Sequence, residues 1–153
     1  MYKDRWVPTA IRVPLWGGTQ SGRRTRPIHV LMVEDDSAIA DMFQMQLEHD
    51  GYRVTVAGTA QVGLAAIAAA PPDIVLLDLL LPDRSGFELM TMLKHQLPSH
   101  PPIVILSNYG EPEMISQGLS LGAVDYLVKS RVTPSLVSRS IPGWLEQPRE
   151  GPN

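Results

Sequence analysis

Residues 30–37 read VLMVEDDS: an apolar run with Val30 and Val33 as β-branched members leads straight into Glu34, Asp35 and Asp36. The run has the character of a buried strand. Three adjacent carboxylates repel one another, which raises the free energy of each unless solvent or a counter-charge relieves it. The triplet is therefore either a solvated acidic loop or part of a site, and the rest of the chain has to decide between the two.

Outward from this stretch, short apolar runs alternate with helical patterns. IHVLMV (28–33) reads as a buried strand. Ser37 is read as the cap of a first helix carrying Ile39, Met42, Phe43 and Leu47 at helical spacing, and Gly51 stops it. YRVTVA (52–57) alternates like a flanking strand; Thr59 caps an alanine-rich helix to Ala70, ended by Pro71 and Pro72. DIVLLD (73–78) is nearly all apolar, as a strand covered on both faces requires. A third helix spans about Gly86 to Leu97, and IVIL (103–106) is another buried strand. Glu111 to Leu121 forms a fourth helix stopped by Gly122, VDYLV (124–128) is a fifth strand, and Thr133 begins a last helix that Pro142 is expected to curtail. Five strands alternating with five helices imply an α/β doubly wound parallel sheet with helices on both faces.

The length of 153 residues fits one domain, and 44% apolar content suffices for one core. Without cysteine there is no disulfide scaffold and no thiolate metal site, so a reducing, cytoplasmic setting fits. No apolar run approaches the roughly 18 residues of a membrane span, and the first 27 residues lack the continuous apolar core of a signal peptide. Residues 1–26 hold six basic residues against the single Asp4, a net of +5, so the remainder carries −8 of the total −3. Such an arm could meet nucleic acid, anionic lipid or the acidic body, or serve as a transit peptide. Its scattered prolines and glycines read equally as a disordered extension, and no function is assigned to it. The expected layout is a basic extension (1–26), a domain (27–141) and a short tail (142–153).

In open parallel sheets, ligands sit beyond the carboxyl ends of the strands where strand order reverses. The acidic triplet follows strand one, Asp78 ends strand three, Ser107 follows strand four and Lys129 follows strand five. Carboxylates, a hydroxyl and an ammonium thus converge on one edge, which a solvated loop does not explain. Hard oxygen donors suit Mg²⁺, which would relieve the repulsion. Asp78 is a candidate carboxylate nucleophile of the kind that forms an aspartyl-phosphate, with Lys129 and Ser107 placed to hold phosphoryl oxygens.

VEDD, DLLLPDRSG, ILSN and YLVKS, in this order, resemble the receiver domain of two-component response regulators, the CheY-like family, over about Ile28 to Ile141. The resemblance implies a flavodoxin-like (βα)5 sheet of order 2-1-3-4-5. It also implies that Asp78 accepts a phosphoryl group from a histidine kinase or histidine phosphotransfer protein. By position, Glu34 and Asp35 match the family's acidic pair, and Asp78 with the Leu80 carbonyl would complete the Mg²⁺ ligands. Lys129 matches the family's lysine, Ser107 the switch hydroxyl and Tyr126 the switch aromatic. An ordinary strand aromatic is the plainer reading of Tyr126. Asp36 is either solvated or a cap of the first helix, while Asp83 and Arg84 are expected to face solvent.

Two departures from the family pattern stand out. Ser130 replaces the usual proline after the lysine; a cis bond there would cost about 3 kcal/mol, so a trans bond is expected. Asn108, followed by Tyr109, replaces a usually small residue beside the switch hydroxyl, which leaves the phosphoryl lifetime open. After Pro142 only GWLEQPREGPN remains. The expected protein is thus a stand-alone receiver, monomer or weak homodimer, without a DNA-binding domain. It would be a switch rather than an enzyme, presenting its helix-four, strand-five and helix-five face to an output partner or passing phosphate on. Trp144 and Leu145 either pack back on the body, form a contact or fray. A phosphorylation-independent docking module is the alternative; a hydrolase is disfavoured because Leu80 stands where such enzymes place a second aspartate.

Overall fold

In the computed structural model, residues 26–97 and 99–148 are described, so the basic extension apart from Arg26, and the tail from residue 149, lie outside the described residues. The chain alternates β1 (His29–Val33), α1 (Ser37–His49), β2 (Arg53–Ala57), α2 (Ala60–Ala69), β3 (Ile74–Leu77), α3 (Gly86–Gln96), β4 (Ile103–Ser107), α4 (Pro112–Ser120), β5 (Asp125–Val128), a 3₁₀ turn (Lys129–Arg131) and α5 (Pro134–Glu146). All strands pair in parallel in the order β2-β1-β3-β4-β5. Among the described residues, no helix is long and apolar enough to cross a membrane.

The continuous apolar runs follow from burial on both faces. Successive strand residues point to opposite sides. Val30 and Met32 pack with Phe43 and Leu47 of α1 and with Val137 and Ile141 of α5. Leu31 and Val33 pack on the other face with Ile67 of α2 and Leu89 and Leu93 of α3. The edge strand β2 is half-buried and alternates accordingly. Gly51 (φ 97) and Gly122 (φ 104) end α1 and α4 in the left-handed region, where a side chain would be strained. At each, two reversed backbone bonds close the helix: Gly51 N–H to Glu48 O and Tyr52 N–H to Leu47 O, then Gly122 N–H to Leu119 O and Ala123 N–H to Gly118 O.

Three expectations are corrected and one open choice is settled. Asp36, not Ser37, caps α1: its carboxylate accepts from the amides of Ala38 and Ile39 at 3.0 and 3.2 Å. Pro142 does not curtail the last helix, which runs through it to Glu146, so a tail boundary at 142 falls inside α5. Proline lacks the N–H that would bond the carbonyl four residues earlier. That carbonyl, of Ser138, instead accepts the Tyr52 hydroxyl at 2.9 Å. Of the placements left open for Trp144 and Leu145, packing back on the body holds: Trp144 is buried in the α1–α5 core, its indole N–H donating to Asp125 Oδ2 at 2.9 Å, and Leu145 packs against the same core. Finally, Asp83 is not merely solvated. Its two oxygens accept the first two amides of α2, Ala60 and Gln61, each at 2.9 Å.

Candidate phosphoryl-acceptor site

The acidic triplet splits three ways. Asp36 is spent on the helix cap. Glu34 is buried, at 2% exposure, because its own amide extends the sheet ladder by donating to Ala57 O at 2.9 Å and turns the side chain inward. Its Oε1 lies 2.5 Å from Lys129 Nζ and its Oε2 accepts the Asp36 amide at 3.1 Å. Asp35 stays exposed. Asp78 sits one residue beyond β3, held there by its amide's bond to Val33 O at 3.0 Å. It is 6% exposed; Oδ2 lies 3.3 Å from Lys129 Nζ, and Oδ1 accepts the Leu80 amide at 3.3 Å. Lys129 opens the 3₁₀ turn after β5 and reaches across two strand ends to both carboxylates.

One oxygen each of Glu34, Asp35 and Asp78 fall within 4.8 Å of one another. Three carboxylates and one ammonium leave the cluster short of positive charge. An all-oxygen donor set of this density, with neither histidine nor cysteine, fits a hard divalent cation such as Mg²⁺. Burial pushes the Glu34 carboxyl above its ordinary range, and Lys129 only partly offsets this. Burial also pulls the Lys129 ammonium down, but the bond to Glu34 and the charge of Asp78 outweigh it, so Lys129 titrates above its usual value. Lysine charged and two carboxylates crowded around it is the arrangement an incoming anion and a cation would complete.

The cluster floors a cleft of about 270 Å³ whose rim includes Leu80, Asn108 and Tyr109. Leu80 and Tyr109 are unusually exposed for apolar residues, at 63% and 41%. Ser107, the last residue of β4, is fully buried beside the cleft rather than on its wall, and its Oγ accepts the Tyr109 amide at 3.1 Å. The Tyr126 ring is turned inward: it is 8% exposed and its hydroxyl donates to Tyr109 O at 2.6 Å. Burial raises its phenol above the usual value, against the opposing hydrogen bond to Ser107. Glu34, Asp35, Asp78, Leu80 and Lys129 thus line one cleft, with Ser107 and Tyr126 behind them, joined to the rim through Tyr109. The Lys129–Ser130 bond is trans, as expected, since no peptide bond among the described residues is cis.

Two glycines shape the site. A Cβ on Gly86 would lie 2.6 Å from Asp78 O, so only glycine lets α3 start against the acceptor loop. A Cβ on Gly118 would meet Ile105 Cδ1 at 2.6 Å and the Tyr126 ring at 3.0 Å, so Gly118 makes the seat in which that ring lies. Gly118 was not anticipated, although a glycine inside a helical pattern signals a close approach. Asp83 carried no such local signal, because its partners are more than twenty residues away in sequence.

The family model for the response regulator receiver domain matches residues 30–140. The chain is 39% identical over 111 residues to the phosphate regulon transcriptional regulatory protein PhoB of Pseudomonas aeruginosa, covering 72% of this chain and 48% of that one. It is 34% identical to the probable transcriptional regulatory protein TcrX of Mycobacterium tuberculosis, covering 68% of this chain and 44% of that one. The chain therefore spans less than half the length of these relatives. Among solved structures, a CheY-like receiver domain protein of Methanospirillum hungatei superposes with a TM-score of 0.71 at 32% identity, covering 78% of this chain and 94% of that one. Chemotaxis response regulator CheY4 of Vibrio cholerae superposes at 0.70 with 28% identity, over 77% of this chain and 98% of that one. The order of strands, the convergence of the four motifs on one sheet edge and these matches together place the chain in the response regulator receiver domain family.

Proposed function

We propose that this receiver takes a phosphoryl group on the Asp78 carboxylate in a Mg²⁺-dependent step. The observation that carries this reading is a single lysine ammonium within reach of both Glu34 and Asp78, in the cleft that exposed Asp35 also lines. An oxygen of Asp78 attacks phosphorus, the bond to the histidine nitrogen of a kinase or phosphotransfer protein breaks, and the imidazole keeps the electron pair and takes a proton. Attack of water on phosphorus later returns inorganic phosphate and the free carboxylate. Glu34, Asp35, Asp78 and the Leu80 carbonyl would hold the Mg²⁺, which when bound supplies charge neutralisation for the transferring oxygens.

The chain's own residues do the rest. Lys129 Nζ, already desolvated between two carboxylates, is a preorganised partner for a phosphoryl oxygen. The Ser107 hydroxyl accepts the Tyr109 amide and can turn its proton toward a phosphoryl oxygen. Tyr126 is coupled to the same residue through the Tyr109 carbonyl, so movement of Ser107 toward phosphate is felt by the ring. We read the output as protein–protein, through the α4–β5–α5 face, by a switch working in the cytoplasm rather than an enzyme turning over a substrate. The receiver unit on this reading runs from residue 27 through the end of α5, with the segment before it as a basic extension.

Intact mass after incubation with acetyl phosphate tests the reading. With Mg²⁺ the wild-type protein should gain one phosphoryl group, absent without the metal and absent in Asp78→Asn. A folded protein that gains none from acetyl phosphate or from a phosphohistidine donor would favour a docking module that keeps the fold without the chemistry.

A further inference from the structure

We infer that Asp83 is a positioning residue for the acceptor loop: by tying residues 79–85 to the N-terminus of α2, it fixes the Leu80 carbonyl where a divalent cation needs it. The inference rests on the Mg²⁺ reading above. The loop leaves β3 at Asp78 and is held at its base by the Gly86 N–H to Leu79 O bond of 2.8 Å and by a Leu80–Ser85 bridge. Its tip is Pro82-Asp83, and there the hold comes from outside the loop. The Asp83 carboxylate accepts Ala60 N–H through Oδ1 and Gln61 N–H through Oδ2, both at 2.9 Å, and Oδ1 also takes Arg84 N–H at 3.1 Å.

The four amide donors that open α2 are all satisfied, but by different agents. Thr59 provides for the third and fourth, its Oγ1 accepting Val62 N–H at 3.0 Å and its carbonyl Gly63 N–H at 3.0 Å. The first two are left to Asp83. A negative charge against a helix N-terminus and two amide donors is a directional pairing. The same clamp therefore serves α2 and the loop, and α2 itself follows β2, whose Ala57 carbonyl holds the backbone of Glu34. Asp83 thus links the two segments that supply the cation's ligands, β1's end and the loop after β3, through a third element. Without it, the loop would keep its bonds at the base and the packing of buried Leu79 and Leu81, but its tip would lose the tie to α2.

Thr59 provides the control, because it caps the same helix end without touching the loop. Mg²⁺ alone, titrated into the protein and followed by amide chemical shifts of Leu80 and Lys129, reads the site without any phosphoryl chemistry. Asp83→Ala should raise the Mg²⁺ dissociation constant by about ten-fold, the scale on which outer partners of metal ligands act. Asp83→Asn, which keeps one acceptor oxygen, should recover part of that loss. Thr59→Ala should lower the thermal midpoint comparably yet leave the Mg²⁺ affinity unchanged. An Asp83→Ala affinity within two-fold of wild type would overturn the inference, as would a Thr59→Ala protein weakened as much as Asp83→Ala. Wild-type protein that binds no Mg²⁺ would overturn the functional reading and this inference with it.

Discussion

The two ends of the sheet treat their carboxylates in opposite ways. At the amino ends of the strands, each acid is taken up by the protein. Asp73 receives the guanidinium of Arg26 at 2.9 and 3.2 Å and the His29 amide at 2.7 Å. Asp50 receives the Ser138 hydroxyl and the Gln46 amide, and Asp125 the Trp144 indole and the Tyr126 amide. At the carboxyl ends, three acids gather around one lysine, and Asp35 remains exposed. Buried or crowded acids persist in a fold only when something satisfies them. The acids at the amino ends are satisfied from within, as are Asp36 and Asp83 at the other end, whereas Glu34, Asp35 and Asp78 share a single ammonium.

Substitutions at the two ends should therefore separate chemistry from stability. The largest effect is expected for Lys129→Met, which removes the cation shared by Glu34 and Asp78. Phosphoryl addition from acetyl phosphate should slow by about 10²-fold, the loss typical of removing one preorganised donor, as followed by intact mass over time. Next comes Trp144→Phe at the amino end, which keeps an aromatic ring but removes one ring's volume from the buried core and strips a donor from the half-buried Asp125 carboxylate. Denaturant unfolding should register a loss of about 1–3 kcal/mol, with the rate of phosphoryl addition unchanged.

A smaller effect sharpens the comparison through pH. Glu34 binds its proton more tightly folded than unfolded, because burial raises it. Its contribution to stability is greatest in acid and falls as pH rises through its raised value. Asp50 has the opposite sign: hydrogen bonds from Ser138 and Gln46 lower it, so its contribution is present above the ordinary aspartate value and is lost as pH falls through the lowered one. In unfolding curves between pH 3 and 7, roughly the carboxylate range, Glu34→Gln and Asp50→Asn should flatten components of opposite slope. The smallest effect is expected for Arg26→Ala. Its pair with Asp73 is largely exposed, at 62% for the arginine, and such pairs contribute little. Neither midpoint nor phosphoryl addition should change measurably.

Much of this was legible in the sequence where the physical cause is local. Strands with both faces buried read as apolar runs, and the half-buried edge strand reads as alternation. Thr59 and Thr133 cap the helices that follow them, and Gly51 and Gly122 close helices because only glycine adopts their backbone angles cheaply. Motifs at four strand ends located the cleft, because a parallel sheet brings those ends together whatever lies between them. What escaped has its cause far away along the chain. Pro142 is tolerated inside α5 because Tyr52, on the other side of the fold, supplies the donor that proline lacks. Trp144 is buried because Asp125 meets its indole, and Asp83 is structural because α2 begins beside it. Within the triplet, the cap fell to Asp36 rather than Ser37, because Asp36 has the extended backbone of a cap and Ser37 is already helical.

The central claim is that the carboxyl end is a phosphoryl acceptor at one residue. Its most direct test is to incubate the protein with acetyl phosphate and Mg²⁺, reduce the acyl phosphate with borohydride, and map the peptides. Reduction converts a phosphorylated aspartate to homoserine and marks it permanently. The account predicts homoserine at position 78 alone. Homoserine at position 35 or 36, or none with either acetyl phosphate or a phosphohistidine donor from a protein that is folded and binds Mg²⁺, would contradict it.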